Sequence, residues 1–256
     1  MSTWNVPSLA GTSPSPAGAA ATEPWEPLLE LRGVRAAYGT IEVLHGVDLA
    51  LWPGEVLAVL GANGAGKTTM LKVLAGLHPL ADGDVFVAGR RVNGTDTDEL
   101  ARTGLCLIPE GRGIFPSLTV RENLRMATYR GKSLKAVETL VFERFPQLAR
   151  KRSQVAGTMS GGEQQMLALA RGLATDPAVL VIDELSMGLA PLVVEQLYGQ
   201  VADLADLGIA VLVVEQFAKV VLGVAHRAAV MVTGQISDVG TPQEIEAKLS
   251  TAYLGG

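Results

Sequence analysis

Charge is scarce in this 256-residue chain. Asp, Glu, Lys and Arg make up 18% of it, against roughly 25% in an average soluble domain. Apolar residues reach 48%, and either a large core or surface covered by partners accounts for that excess. Positive charge is scarcer than negative: the net charge is −5 and the pI about 5.3. Nucleic-acid binders show a basic balance or stripe, so no nucleic-acid partner is expected. The one dense basic cluster, Arg150-Lys151-Arg152, reads as a solvated helix end. Cysteine occurs once, as Cys106, which excludes an internal disulfide. Its apolar surroundings, Leu105 to Ile108, predict a buried thiol. No run of about 18 apolar residues occurs, so no membrane-spanning helix is expected. The first residues lack a basic start and a continuous apolar stretch, so no secretory leader is expected. Residues 1–27 are rich in Ala, Pro, Ser and Gly and read as a disordered tail. No internal repeat is present.

From residue 28 onward the pattern is that of an ordered domain. LLELRGVRAAYG and IEVLHGVDLALWPG alternate apolar and polar residues and predict antiparallel strands. EVLAVLG (55–61) predicts a buried strand, followed by a Gly-rich turn. Met70, Leu71, Leu74 and Leu77 then recur at helical spacing. GDVFVAGRRV predicts a strand pair and GLCLIPE a short buried strand. Residues 115–156 read as an all-helical insertion: Thr119 and Glu122 form a capping box, and Ser133 opens a second helix. Ser160 starts a further helix that ends before Pro177. AVLVIDE and IAVLVVEQ predict buried strands that end on polar residues. Between them Pro191 opens a helix. RAAVMVTGQISDVG predicts a hairpin, and Thr241 caps the last helix. Strand–helix alternation of this kind predicts an α/β fold with a mostly parallel sheet covered on both faces.

Three stretches carry chemistry. Gly61, Ala62, Asn63, Gly64, Ala65, Gly66, Lys67 and Thr68 fit G-x-x-x-x-G-K-[ST], between a strand and a helix as the motif requires. The N–H groups of residues 63–68 and the helix start supply positive potential for phosphates, with Thr69 next in line. Lys67 is expected to reach the β- and γ-phosphates, and the Thr68 hydroxyl a Mg²⁺ ion. Asp183 and Glu184 follow a buried run, where strand ends place side chains at the ligand-binding mouth of open α/β sheets. Asp183 is assigned to the metal and Glu184 to polarising water as general base. Ser160, Gly161, Gly162 and Glu163 form a capping box with two glycines in its first turn, where glycine weakens a helix. Close approach of a phosphate to bare backbone is one reason for them.

This order of motifs (phosphate loop, SGGEQ, LVIDE) resembles the ATP-binding subunits of ABC transporters over about residues 28–256. The resemblance implies a P-loop NTPase (RecA-like) core with an antiparallel β subdomain and the helical insertion. It implies ATP and Mg²⁺, and a head-to-tail dimer with a second ATP-binding subunit. There each ATP lies between the phosphate loop of one subunit and the Ser160–Glu163 signature of the other. It also implies transmembrane permease partners, an extracytoplasmic solute-binding protein, and a peripheral place on the cytoplasmic face of the membrane. Tyr38 stands where the family has an aromatic that stacks on adenine. LIPEGRGIFPSLTVRENL, GTMSGGEQQMLALARGL, SMGLAPL, VVEQ and AYLGG resemble the second ATPase of branched-chain amino acid uptake systems. Urea and short-amide importers carry close versions.

Three positions depart from the wider family. Glu110 replaces Gln in the loop near the metal, so one member of the carboxylate cluster is expected to protonate more readily when metal is absent. Leu185 replaces Pro after Glu184, which leaves that backbone freer. Gln216 stands where most members carry His: its amide can donate to the γ-phosphate but cannot become cationic near neutral pH. Glu215 reads as a structural or surface residue. Two other classes compete. A soluble DNA or ribosome clamp would carry coiled coils, metal insertions or two ATPase halves. A small-molecule kinase would lack SGGEQ.

Overall fold

A computed structural model describes residues 26–254 except Arg112, so all but the last two residues of the expected tail lie outside the described residues. The chain forms two sheets. The smaller is antiparallel, with β1 (Leu29–Tyr38), β2 (Ile41–Leu51), β4 (Asp82–Val87) and β5 (Arg90–Arg91) in the order β2-β1-β4-β5. The larger contains β3 (Val56–Leu60), β6 (Leu105–Ile108), β7 (Val179–Asp183), β8 (Ala210–Glu215), β9 (Arg227–Val232) and β10 (Gln235–Gly240). Its order is β10-β9-β3-β8-β7-β6; every ladder is parallel except β9–β10. The mixed architecture expected from the sequence is therefore present.

The inner strands β3, β7, β8 and β9 are apolar except at an end, where Asp183, Glu215 and Arg227 stand, because both faces are covered. In β3, Val56, Ala58 and Leu60 enter one core while Leu57 and Val59 enter the other. In β8, Val211 and Val213 face the first core, and Ala210, Leu212 and Val214 the second. The first core is completed by α6 (Gly161–Ala174), α7 (Pro191–Asp206) and the arm helices α3 (Val120–Met126), α4 (Leu134–Arg144) and α5 (Pro146–Arg150). The second is completed by α1 (Lys67–Leu74), α2 (Thr97–Arg102) and the antiparallel sheet. The short α8 (Ala218–Leu222) and the terminal α9 (Pro242–Leu254) follow β8 and β10.

Residues 115–156 hold α3 and α4, which the capping signals predict, and a further short helix, α5, which opens on Pro146 without a side-chain cap. Thr119 and Glu122 form the capping box, and Ser133 Oγ accepts from Ala136 N. Buried Glu138 ties the arm together, accepting from Arg121 Nε and from Arg152 Nε and Nη2 at 2.7–2.9 Å. Two of the three residues of the basic cluster pair within the chain, Arg152 with Glu138 and Lys151 with Glu163 at 2.8 Å, while Arg150 is exposed at the end of α5. Cys106 lies in β6, where burial pushes its thiol up.

Candidate functional site

Four parallel strands end side by side. The register sets Leu60 of β3 against Glu215 of β8, Asp183 of β7 against Val214 of β8, and Ile108 of β6 against Ile182 of β7. The segments just beyond these ends are the phosphate-loop sequence, Gln216, Glu184 and Glu110. Residues far apart in sequence therefore share one edge of the sheet, the usual ligand edge of an open α/β sheet.

The 61–66 loop turns back on itself, with Ala65 N donating to Ala62 O and Gly234 N to Ala65 O. Gly66, at φ 106°, is the residue before α1, and a Cβ there would crowd Gly234, Leu44 and Met231. A Cβ on Gly61 would lie 2.5 Å from the Met231 carbonyl oxygen. Gly64 (φ 82°) faces open space. Lys67 is buried and its Nζ donates to Gly61 O at 2.7 Å and Ala62 O at 3.1 Å. Ala62, Asn63, Gly64 and Thr68 are exposed, while Ala65 and Thr69 are buried. This is a glycine-permitted cradle with one cation folded against its rim, fit for an anion of phosphate size.

Asp183 is buried, and its carboxyl is pushed up to about 6. Burial is the main cause; Glu184, Glu110 and Glu215 add to it and Lys67 opposes it. Asp183 is thus a carboxyl of this cluster that protonates more readily than an ordinary one. Glu184 adopts φ 46°, in the left-handed region. A proline at 185 would bias this residue toward extended backbone. Leu185 instead is buried in the core, so packing takes up the freedom that the missing proline leaves. Glu184 N donates to Val214 O at 2.9 Å, and Gln165 Nε2 donates to Leu185 O at 3.3 Å.

Beyond β8 the two polar residues part company. Gln216 is exposed, and the N-cap of α8 is Phe217, so Gln216 is not that helix's cap. Glu215 is 1% exposed, which overturns any surface reading. It accepts from Ser186 N, Ser186 Oγ and the Tyr198 hydroxyl. Those partners lie 29 and 17 residues away, so no local pattern announces them; the only signal is a carboxylate inside an otherwise apolar strand. Next to Glu215, Tyr198 keeps its hydroxyl proton, its pKa raised by burial and by that carboxylate.

The Ser160 capping box forms as expected, Glu163 Oε2 accepting from Ser160 N at 2.9 Å. Lys151 beside it holds the Glu163 carboxyl below the usual range. The reason for one glycine differs from the expectation. A Cβ on Gly162 would lie 2.3 Å from Val193 Cγ1, so close packing of α7 on α6 requires Gly162 whether or not a ligand approaches. Tyr38 is 45% exposed at the end of β1, with His78 stacked on it at 4.2 Å. An exposed, one-sided stack is not a core tyrosine.

Among the described residues no three His, Cys, Asp or Glu side chains converge as ligands of a metal. Mg²⁺ needs no such cage, since it takes one or two carboxylates, waters and substrate phosphates. The oxygen donors of Asp183, Glu110 and Thr68 suit it, and a buried Asp183 pressed by like charges calls for a cation.

A family model described as "ABC transporter" matches residues 44–186. The high-affinity branched-chain amino acid transport ATP-binding protein BraG of Pseudomonas aeruginosa is 40% identical over 233 residues, covering 90% of this chain and 100% of that protein. The probable branched-chain amino acid transport ATP-binding protein LivF of Archaeoglobus fulgidus is 32% identical, covering 83% of this chain and 91% of that protein. A crystal structure of an ATP-binding cassette in its ADP conformation superposes with a TM-score of 0.81 at 24% identity. It covers 90% of this chain and 99% of that one, a likeness of fold.

Proposed function

The chain belongs to the ABC transporter family as the ATP-hydrolysing subunit of an importer, and from that premise we propose that it powers the uptake of branched-chain amino acids. The match to BraG along that relative's whole length carries the choice of solute. The alignment of the phosphate loop, Asp183-Glu184 and Gln216 along one sheet edge carries the mechanism.

ATP phosphates lie on the N–H groups of residues 63–69. Lys67 leaves the Gly61 and Ala62 carbonyls, its resting partners, for the β- and γ-phosphates. Tyr38 offers its ring to adenine. Thr68, Glu110 and Asp183 would hold Mg²⁺, which when bound offsets phosphate charge. Glu184 takes a proton from a water whose oxygen bonds to the γ-phosphorus. The bond to the β-phosphate oxygen breaks and its electron pair leaves with ADP. Gln216 positions the γ-phosphate through its amide and carries no proton, so Glu184 does the base work alone.

The side chains of Ser160 and Glu163 each accept from the other's backbone N–H, Glu163 also pairs with Lys151, and none of these bonds involves residues 61–68. That separation supports a signature that acts on the ATP of a second ATP-binding subunit, packed head to tail, with Gly161 and Gly162 in the covering turn. Transmembrane permeases complete the assembly, fed by an extracytoplasmic solute-binding protein. The groove by Glu110 and the arm, where Phe115, Met126 and Val155 are exposed, receives the permease. The chain then sits peripherally on the cytoplasmic face. In keeping with this, no described helix is long and apolar enough to cross a membrane.

Radiolabelled uptake in a strain lacking this chain tests the solute. Leucine, isoleucine and valine uptake is expected to fall and to return with the wild-type chain but not with Glu184→Gln. Unchanged uptake of all three, with loss of urea or short-amide uptake, overturns it.

A further inference from the structure

Glu215 has no part in the chemistry above, yet it occupies a costly place. A carboxyl group out of water is costly unless its oxygens are well bonded, and no Lys or Arg among the described residues bonds this one. Its donors among the described residues are neutral: Ser186 N at 2.9 Å, Ser186 Oγ at 3.0 Å and the Tyr198 hydroxyl. An aliphatic side chain would fill the same space without that cost, so the three bonds are what the position supplies.

Ser186 lies two residues after Glu184, whose φ of 46° is a left-handed conformation. For a residue with a Cβ such backbone is strained and persists only where the surroundings over-determine it. The surroundings can be named. Val214 O accepts from Glu184 N on one side, Leu185 is buried and bonded by Gln165, and Glu215 holds both the N–H and the hydroxyl of Ser186. Val214 and Glu215 are consecutive, so the end of one strand grips the turn on both sides of Leu185. Tyr198 extends the grip to α7.

We propose that Glu215 is a positioning residue for ATP hydrolysis: it clamps the turn after β7 so that Glu184 is held toward the reacting water. This rests on the role of Glu184 given above. Glu215 itself does not touch the nucleotide, so its loss acts on turnover rather than on ATP binding.

Steady-state ATP hydrolysis by the full-length chain, with kcat and KM read separately and melting followed in parallel, tests it. Glu215→Leu is expected to lower kcat roughly tenfold or more, as small misplacements of a catalytic group do, with KM within about twofold. Glu215→Gln is the rescue. Its Oε1 still accepts from Ser186 N and Tyr198, and its Nε2 donates to Ser186 Oγ, so kcat is expected within about threefold of wild type. Tyr198→Phe removes one bond without adding a buried misfit, and is expected to lower kcat about two- to fivefold at unchanged KM; it decides the matter should Glu215→Leu fail to fold. Normal kcat in Glu215→Leu or Tyr198→Phe overturns the clamp. So does a Gln variant as slow as the Leu variant, or a fall in kcat matched by a rise in KM. If Glu184→Gln itself hydrolyses ATP normally, the role of Glu184 falls instead, whatever the Glu215 variants do.

Discussion

The rings of Tyr38 and His78 stack at 4.2 Å between centroids, with their planes 26° apart. His78 Nε2 lies 3.1 Å from Ala37 O, so the imidazole is anchored to the strand that ends in Tyr38. One face of the tyrosine is thereby braced from the start of the loop that follows α1.

A base stacked on an aromatic ring is worth about 1–3 kcal/mol. Tyr38→Ala is therefore expected to weaken ATP binding at least about fivefold. His78→Ala, which removes only the brace, has a smaller effect of the same sign. Equilibrium titration with a fluorescent ATP analogue measures both. Equal affinity in Tyr38→Ala and wild type removes Tyr38 from the site.

Gly162 and Val193 make a packing prediction free of any ligand. A Cβ at 162 meets Val193 Cγ1 at 2.3 Å, and overpacking of this kind costs about 1–3 kcal/mol. Gly162→Ala is expected to lower the urea midpoint, and Val193→Ala in the same chain to restore much of the loss. A double variant as unstable as the sum of the singles would place the clash elsewhere.

Gln216 is exposed, one residue beyond Glu215, which the register sets against Leu60 just before the phosphate loop. Gln216→Ala is expected to reduce ATP turnover about tenfold and leave ATP affinity within about twofold, the pattern of a contact made to the γ-phosphate as it reacts. Unchanged turnover would leave Gln216 without a role.

Asp183 predicts a pH dependence of the metal-free chain. Its carboxyl is pushed up to about 6 by burial first, then by Glu184 and Glu110. An unfolded Asp titrates near 3.9, so the folded state binds this proton more tightly. The associated stability is complete below that unfolded value and is lost as pH rises through about 6. Asp183→Asn, measured in EDTA, is thus expected to match wild type near pH 4 and to gain over it as pH rises to 7. A gap that stays constant or closes with pH contradicts the assignment.

Much of this site is legible in the sequence because its parts are local. The phosphate loop, the Asp183-Glu184 pair and the capping boxes at Thr119, Ser160 and Thr241 each declare themselves within eight residues, and all three boxes form. The buried strands declare themselves by unbroken apolar runs. What the sequence conceals is long-range or short-lived. The reason for Gly162 lies at Val193, the partners of Glu215 at 186 and 198, and the brace of Tyr38 at 78. Helices α2 and α8 escape because each is too short for an apolar stripe; α2 buries only Leu100.

The central claim is that Glu184 is the base of an ATP site completed by a second subunit. Size-exclusion chromatography of Glu184→Gln with ATP and Mg²⁺ tests it most directly. The amide keeps the shape and cannot take the proton, so an ATP-bound dimer is expected to accumulate and to fall apart when ATP is withdrawn. A variant that stays monomeric and hydrolyses ATP at the wild-type rate would contradict it.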